Sequence, residues 1–233
     1  MKVISVKFPI HLPSGVADSR ERFGFTKDRT LFVTSFEPHS DMERKNSVAV
    51  IDAFRRAFTD GTQADLLIKV NNPTQGGVVH PGVRVLRQRC GEDPRTPLID
   101  EPLRYRDVLA LYASCDVFVS LHRSEGRGLG LMEPMALGKP VIATGWCGNK
   151  RFMNQSNSCL VGYDLNPVPG HLPVYPRRNS RQICPAGVSK GRGRGGLDEA
   201  PGPGPESEVG DRQEGLGFHR AAAGRGCPPW FSR

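Results

Sequence analysis

The chain has 233 residues, 24% of them charged and 37% hydrophobic, and its 32 lysines and arginines outweigh 24 aspartates and glutamates for a net charge of +8. That length holds one large domain or two small ones, and the absence of any run of about 18 apolar residues or of a signal-type leader reads as a cytoplasmic chain. The positive balance suits anionic ligands, but the basic residues do not alternate with aromatics as a nucleic-acid platform requires, and Cys90, Cys115, Cys147, Cys159, Cys184 and Cys227 stand singly, so neither a disulfide framework nor a metal site is implied.

In chain order, Leu31-Phe32-Val33-Thr34-Ser35 is a β-rich run. Ser47 to Phe58 then repeats Val50, Ile51, Phe54, Ala57 and Phe58 on one helical face, which makes a strand-turn-helix unit. Leu66 to Val70 reads as a buried parallel strand, Gly82 to Cys90 as a helix and Pro97 to Asp100 as a short strand. Asp107 starts a helix carrying Val108, Leu111 and Tyr112, and Asp116 to Ser120 returns as a strand. Strands that alternate with helices and are apolar on both faces predict an α/β fold, a single Rossmann-like parallel sheet covered on both sides. Ligands of such sheets bind at the carboxyl ends of the strands, which here are the loops 35–40, 99–103, 121–128 and 144–149.

Ser124 to Thr144, reading SEGRGLGLMEPMALGKPVIAT, carries the densest chemistry. Gly126, Gly128 and Gly130 leave backbone amides uncovered where a helix should begin, and such a terminus offers free donors and the positive end of a dipole to a phosphate. Leu129, Met132, Met135 and Ala136 recur at three to four residues, predicting an apolar stripe along that helix. Glu133 falls one turn inside it, and Lys139 to Ala143 follows Gly138 as a helix stop and a buried strand. The plain alternative for Glu125 and Glu133 is an acidic first turn that complements the helix dipole. For Arg44 and Lys45 it is a solvated pair at a helix start, and for Thr144 and Asn149 it is loop side chains bonded to their own backbone.

The segment resembles the E-x(7)-E signature of family 4 retaining glycosyltransferases, in the C-terminal, donor-binding half of a GT-B fold, continuing through Thr144-Gly145-Trp146-Cys147-Gly148-Asn149. Ser35-Phe36-Glu37-Pro38-His39-Ser40, with Arg44-Lys45-Asn46 beyond it, resembles the phosphate-binding turn that opens the same domain in bacterial polysaccharide and lipopolysaccharide sugar transferases. The resemblance covers roughly residues 2 to 164. It implies a nucleoside diphosphate sugar as donor substrate, no cofactor and no metal, and transfer of a hexosyl or deoxyhexosyl unit with retention to a carbohydrate or lipid-linked acceptor. It also implies roles: Glu125 as the catalytic-site acid holding a hydroxyl of the transferred sugar, Glu133 on the ribose hydroxyls, Lys45 and then Arg44 on the phosphates, and Gly126, Gly128, Leu129, Thr144 and Asn149 lining the donor site.

Residues 1–28, opening with Lys2 to Ile10, resemble the linker strand that leads into this half, and 29–164 form the donor-binding domain. The acceptor-binding half is then expected to be absent, leaving an isolated chain that is inactive or weakly active; attachment to the inner membrane face would come through that missing half. From Gly187 to Arg233 glycine and proline make up about a third of the residues and apolar periodicity stops, so 165–233 is expected to be a disordered or out-of-frame tail. Two other readings stand beside this one: a non-catalytic remnant or a subunit of a split enzyme, and an NAD-dependent oxidoreductase, which would instead place G-x-G-x-x-G after its first strand. His80 and His122 invite a general-base role, although a lone histidine is more often structural.

Overall fold

A computed structural model describes residues 9–59, 63–167 and 181–185, and within them the apolar runs become strands β1 (Thr30–Phe36), β2 (Ala64–Val70), β5 (Leu98–Ile99), β6 (Val117–Ser120), β7 (Val141–Thr144) and β8 (Cys159–Val161) of one sheet. All pairings in it are parallel, in the spatial order β5-β2-β1-β6-β7-β8. Chain order therefore runs outward from β1 to one edge, then returns to its other side, as in a Rossmann sheet, and the reversal lies between β1 and β6. The helices are a single turn α1 (Met42–Lys45), α2 (Ser47–Ala57), α3 (Pro81–Gly91), α4 (Tyr105–Ser114) and α5 (Leu129–Ala136). A small hairpin, β3 (Thr74–Gln75) with β4 (Val78–Val79), turns at Gly76-Gly77. β9 (Tyr163–Pro167) pairs antiparallel with β10 (Arg181–Pro185).

The expected α/β class and parallel sheet are those observed. One face of the sheet packs Phe32, Leu66 and Val119 against Phe54 of α2, Phe58 just beyond it, and Val83 and Leu86 of α3. The other packs Val33, Leu67 and Phe118 against Leu109 and Tyr112 of α4 and Leu131 of α5. Both faces are thus covered, which is why the strands are apolar throughout instead of alternating. Phe32, Phe54 and Phe58 form one aromatic cluster, with centroids 5.1 to 6.0 Å apart. On the amino side of the sheet, Arg20 is 6% exposed and donates to the Ser114 carbonyl and to Asp116, whose other oxygen accepts from Leu31 N. That bond network ties residues 9–29 to the sheet.

The structure moves two expectations. Helix α4 begins at Tyr105, two residues before Asp107; Asp107 sits in its first turn, held ionised by hydrogen bonds from Arg22 and Arg104. The stripe on α5 is shifted: Leu131 and Pro134 are buried, whereas Leu129 is 42% exposed and Ala136 lies outward. Pro134 has no N–H to pair with the preceding turn, and the sheet side accepts that defect while Leu129 is left at the open end of the helix. Most of the Lys2 to Ile10 strand and most of the 165–233 tail lie outside the described residues. Cys90, Cys115 and Cys147 are free thiols, the first two pushed up by burial to about 11 and about 12, while Cys159 is disulfide-bonded, a pairing that its isolated position in the sequence did not announce. Among the described residues no helix is long and apolar enough to cross a membrane, and no group of metal-type side chains is assembled.

Lys69, in β2, has no exposed surface at all. Its ammonium donates to the carbonyls of Val70 at 2.5 Å and Glu101 at 2.9 Å, and burial pulls its pKa below the usual lysine value despite the nearby charges of Asp100, Glu101 and Glu37. A lysine depressed on folding binds fewer protons in the native state, so the native state gains stability as pH rises toward the ordinary lysine range. Compared with Lys69→Met, the parent is therefore expected to gain relative stability between neutral pH and pH 10 in urea unfolding; a constant difference would mean that the ammonium is not penalised by its site.

Candidate functional site

At the reversal between β1 and β6, the carboxyl ends of both strands open into a cavity of about 220 Å³. Thr34, Ser35 and Phe36 of β1, Phe118 and Ser120 of β6, Lys45 from the α1 turn, and Glu125 with Arg127 to Leu131 from the start of α5 line it. A parallel sheet offers its ligand crevice at this point because the loops of the two central strands diverge to opposite faces.

The α1 turn is shaped by two non-glycine residues at positive φ: Asp41 at 81° before it and Asn46 at 54° after it. Asparagine and aspartate tolerate that region best among side-chain-bearing residues. The Asp41 carboxylate accepts from Glu43 N and Arg44 N and caps the turn. Asn46 is buried and donates from Nδ2 to the Leu121 carbonyl at 2.8 Å. Arg123 N donates to the Arg44 carbonyl, also at 2.8 Å. The turn after β1 is therefore stitched to the loop after β6, 75 to 80 residues later.

That stitching brings charge together. Lys45 Nζ lies 2.7 Å from Glu125 Oε2, and Arg44 Nη1 lies 3.6 Å from the same oxygen while donating to Ser124 O at 2.8 Å. The three side chains are only 17 to 19% exposed. Burial works against the charge on Glu125, but the Lys45 hydrogen bond and the charges of Lys45 and Arg44 outweigh it and hold the carboxyl below the usual glutamate range. The wall of the cavity thus holds an ionised acid in direct contact with one cation and 3.6 Å from a second.

Glu133 is placed differently. It lies one turn along α5, outside the cavity lining, and accepts from the Tyr105 hydroxyl at 3.0 Å. Burial raises its pKa, and the Tyr105 bond only partly opposes this. Two glutamates eight positions apart are thereby pushed in opposite directions, one firmly ionised and the other easier to protonate.

Of the residues expected at the donor site, Lys45, Glu125, Gly128 and Leu129 line the cavity, and Arg44 backs Glu125. Gly128, at φ 74°, precedes α5 against the Phe152 ring, so a side chain there would be both strained and crowded. Gly126 faces outward, but its carbonyl packs on Gly148: a Cβ added to Gly148 would sit 1.6 Å from Gly126 O. Thr144 and Asn149 do not reach the cavity. Both are fully buried; Asn149 donates to Thr144 O at 3.0 Å and pairs with His122 Nε2 at 3.3 Å, so its side chain is used in bracing the loop after β7. His122, also fully buried, contacts Ser120 Oγ through Nδ1, and burial lowers its pKa, which makes it a neutral core histidine. His80 caps α3 by accepting from Gly82 N. Thr34, Ser120 and Tyr105 were missed by the motif reading; the first two lie at or near the carboxyl ends of the strands flanking the reversal and become visible once the strand order is known.

Residues 102–162, running from the loop after β5 to the end of β8, match the family model described as Glycosyl transferases group 1. No curated protein matches the chain. The solved structure of an α,α-trehalose 6-phosphate synthase from Burkholderia multivorans shares this fold with a TM-score of 0.51 at 15% identity, over 61% of this chain and 33% of that one. The C-terminal domain of a glycosyl transferase group 1 family protein from Francisella tularensis has a TM-score of 0.48 at 16% identity, over 64% of this chain and 75% of that one. For the sucrose-phosphate synthase of Thermosynechococcus elongatus the TM-score is 0.49 at 19% identity, over 61% and 35%. The chain therefore spans three quarters of an isolated C-terminal domain and about a third of the two synthases.

Two outcomes follow from the geometry. Gly148→Ala must displace the 125–126 backbone, with a loss of about 3 kcal/mol at the upper end of overpacking effects; urea unfolding reads it, and an unchanged midpoint would show that the loop gives way freely. Glu125, depressed on folding, contributes stability above the ordinary glutamate pKa that is lost as pH falls through its lower native value. Lys45→Met leaves its burial unopposed by that partner, so the acid-unfolding midpoint is expected to move to higher pH.

Proposed function

We propose that this chain is the donor-binding domain of a GT-B-type retaining glycosyltransferase, family 4-like, holding a nucleoside diphosphate sugar at the β1/β6 crevice for transfer to a carbohydrate or lipid-linked acceptor. The observation that carries this reading is the Lys45–Glu125 pair on the wall of a cavity at the strand-order reversal, with Glu125 inside the segment that matches the glycosyl transferases group 1 model. Lys45 and Arg44 supply positive charge beside the uncovered amides at the start of α5, a combination that neutralises a departing diphosphate. Glu125, kept ionised, accepts short charge-assisted bonds from hydroxyls of the sugar, and Glu133 does the same for the ribose. Thr144 and Asn149 then belong to the support of the crevice and not to its lining.

The acceptor nucleophile is oriented by a second domain in this reading, and losing such proximity removes roughly 7 to 11 kcal/mol of rate enhancement, so the chain alone binds donor while transferring sugar poorly or not at all. An NAD-dependent oxidoreductase fits less well: the turn after β1, where that chemistry wants its glycines, reads Glu37-Pro38-His39-Ser40.

A thermal-shift panel of uridine, guanosine, adenosine and thymidine diphosphates beside nicotinamide dinucleotides tests the reading. One nucleoside diphosphate at a hundred times its dissociation constant is expected to stabilise the fold by about 2.7 kcal/mol. Lys45→Ala is expected to weaken that binding roughly 10- to 100-fold, the loss typical of a charged hydrogen bond. Glu133→Gln is expected to raise the stability of the free chain, because it removes a buried acid whose ionisation is disfavoured, while weakening nucleotide binding. A response confined to nicotinamide dinucleotides would replace this reading with the oxidoreductase.

A further inference from the structure

Tyr105 is the first residue of α4 and is 53% exposed, an unusual place for a large aromatic ring. Its hydroxyl nonetheless has a fixed partner, donating to Glu133 Oε1 at 3.0 Å across the gap between α4 and α5. Leu129, four residues before Glu133 and so on the same face of α5, is 42% exposed and lines the cavity. Tyr105 is thus bonded to a carboxylate one helical turn along α5 from Leu129, which itself lines the crevice.

The bond has a directional consequence. A glutamate side chain has three rotatable bonds, and nothing else among the described residues hydrogen-bonds to this carboxylate. One donor on Oε1 tethers that oxygen and restricts the rotation of the carboxylate, while Oε2 keeps its acceptor positions uncommitted. Two neighbouring hydroxyls of a bound ring are captured well only by a carboxylate already set in plane, since freezing the side chain during binding would draw on the affinity gained. Tyr105 contributes this setting without occupying the site: as an exposed residue at a helix start, it leaves the core packing untouched.

We propose that Tyr105 is a positioning residue that makes the site selective for ribonucleoside over 2′-deoxyribonucleoside diphosphates, by fixing Glu133 to receive the paired ribose hydroxyls. This rests on the reading that Glu133 takes the ribose. A group that loses one of two hydroxyl donors leaves an acceptor of a partly buried carboxylate unpaired, so discrimination arises from the analogue's deficit and requires the carboxylate to be held still.

Isothermal titration of UDP, GDP and ADP, each beside its 2′-deoxy counterpart, into the parent chain, Tyr105→Phe, Glu133→Gln and the double variant tests it. The parent is expected to prefer the ribonucleotide about tenfold or more, and Tyr105→Phe to bring that ratio close to one while binding the deoxy form about as well as the parent does. Because Tyr105 acts through Glu133, adding Tyr105→Phe to Glu133→Gln is expected to change the ratio no further. An unchanged ratio in Tyr105→Phe, with Glu133→Gln abolishing it, overturns the role of Tyr105 and leaves the ribose reading intact. A parent that binds nucleotides but ignores the 2′-hydroxyl, or a ratio that survives Glu133→Gln, overturns both the proposal and the placement of Glu133. A parent that binds none of the six overturns the donor-site reading itself.

Discussion

A lysine ammonium and a glutamate carboxylate 80 residues apart in sequence, meeting at 2.7 Å, hold the two loops at the strand-order reversal in register. Without that attraction the turn after β1 and the loop after β6 would still be joined by neutral hydrogen bonds, but Glu125 would lose the partner that fixes its carboxylate against the turn. Surface ion pairs usually contribute little, because water screens them and long side chains lose freedom. This pair is more enclosed and is reinforced by the Arg123 N to Arg44 carbonyl bond and by Asn46 on the Leu121 carbonyl. The charges lock a geometry that neutral hydrogen bonds have already brought close.

That geometry gives the two acids separate identities. Glu125 sits opposite cations and stays charged, whereas Glu133 has only a phenol and is pushed toward its neutral form by burial. A bare E-x(7)-E spacing would leave them interchangeable. Their difference comes from what faces each one: the α1 turn in one case and the start of α4 in the other. A ligand whose charged end lies between Lys45 and the start of α5, and whose hydroxylated parts reach the two acids, would meet both environments with complementary groups.

Much of this was legible in the sequence, for identifiable reasons. The runs around Leu31, Leu66, Val117 and Val141 are apolar on both faces, and only a parallel sheet covered on both sides buries them. Helix α2 was visible from Val50, Ile51, Phe54 and Ala57 at helical spacing, all of which are buried. The Lys45 and Glu125 positions carried their own signals in the glycine-spaced turn and the basic pair. The β3–β4 hairpin escaped because two-residue strands hold no period to detect. Lys69 escaped because residue type argues for exposure, and only the neighbouring strand ends reveal the carbonyls that receive it. Thr144 and Asn149 look like crevice residues by position, yet both are buried and Asn149 is bonded to His122, 27 residues away, a pairing that no local pattern encodes. The shift of the α5 stripe has the same origin: helical spacing specifies that a face exists, and the contact with β6 and β7 selects which one.

The glycines on either side of the crevice show how closely the site depends on backbone approach. Gly148 N donates to the Glu125 carbonyl at 3.1 Å, and the absence of its side chain lets the Gly126 carbonyl lie where a Cβ would otherwise be. The loop after β7 therefore presses directly on the peptide that carries Glu125, fixing the acid from behind while Lys45 fixes it from in front. Asn149, one residue on, ties this loop to Thr144 and His122. The buried polar cluster and the open charged pair are thus two ends of one support, so a residue with no access to ligand still determines where the carboxylate points. A carboxylate held this way is ionised and aimed in advance, which is the condition under which electrostatic groups favour a developing charge without reorganising to meet it.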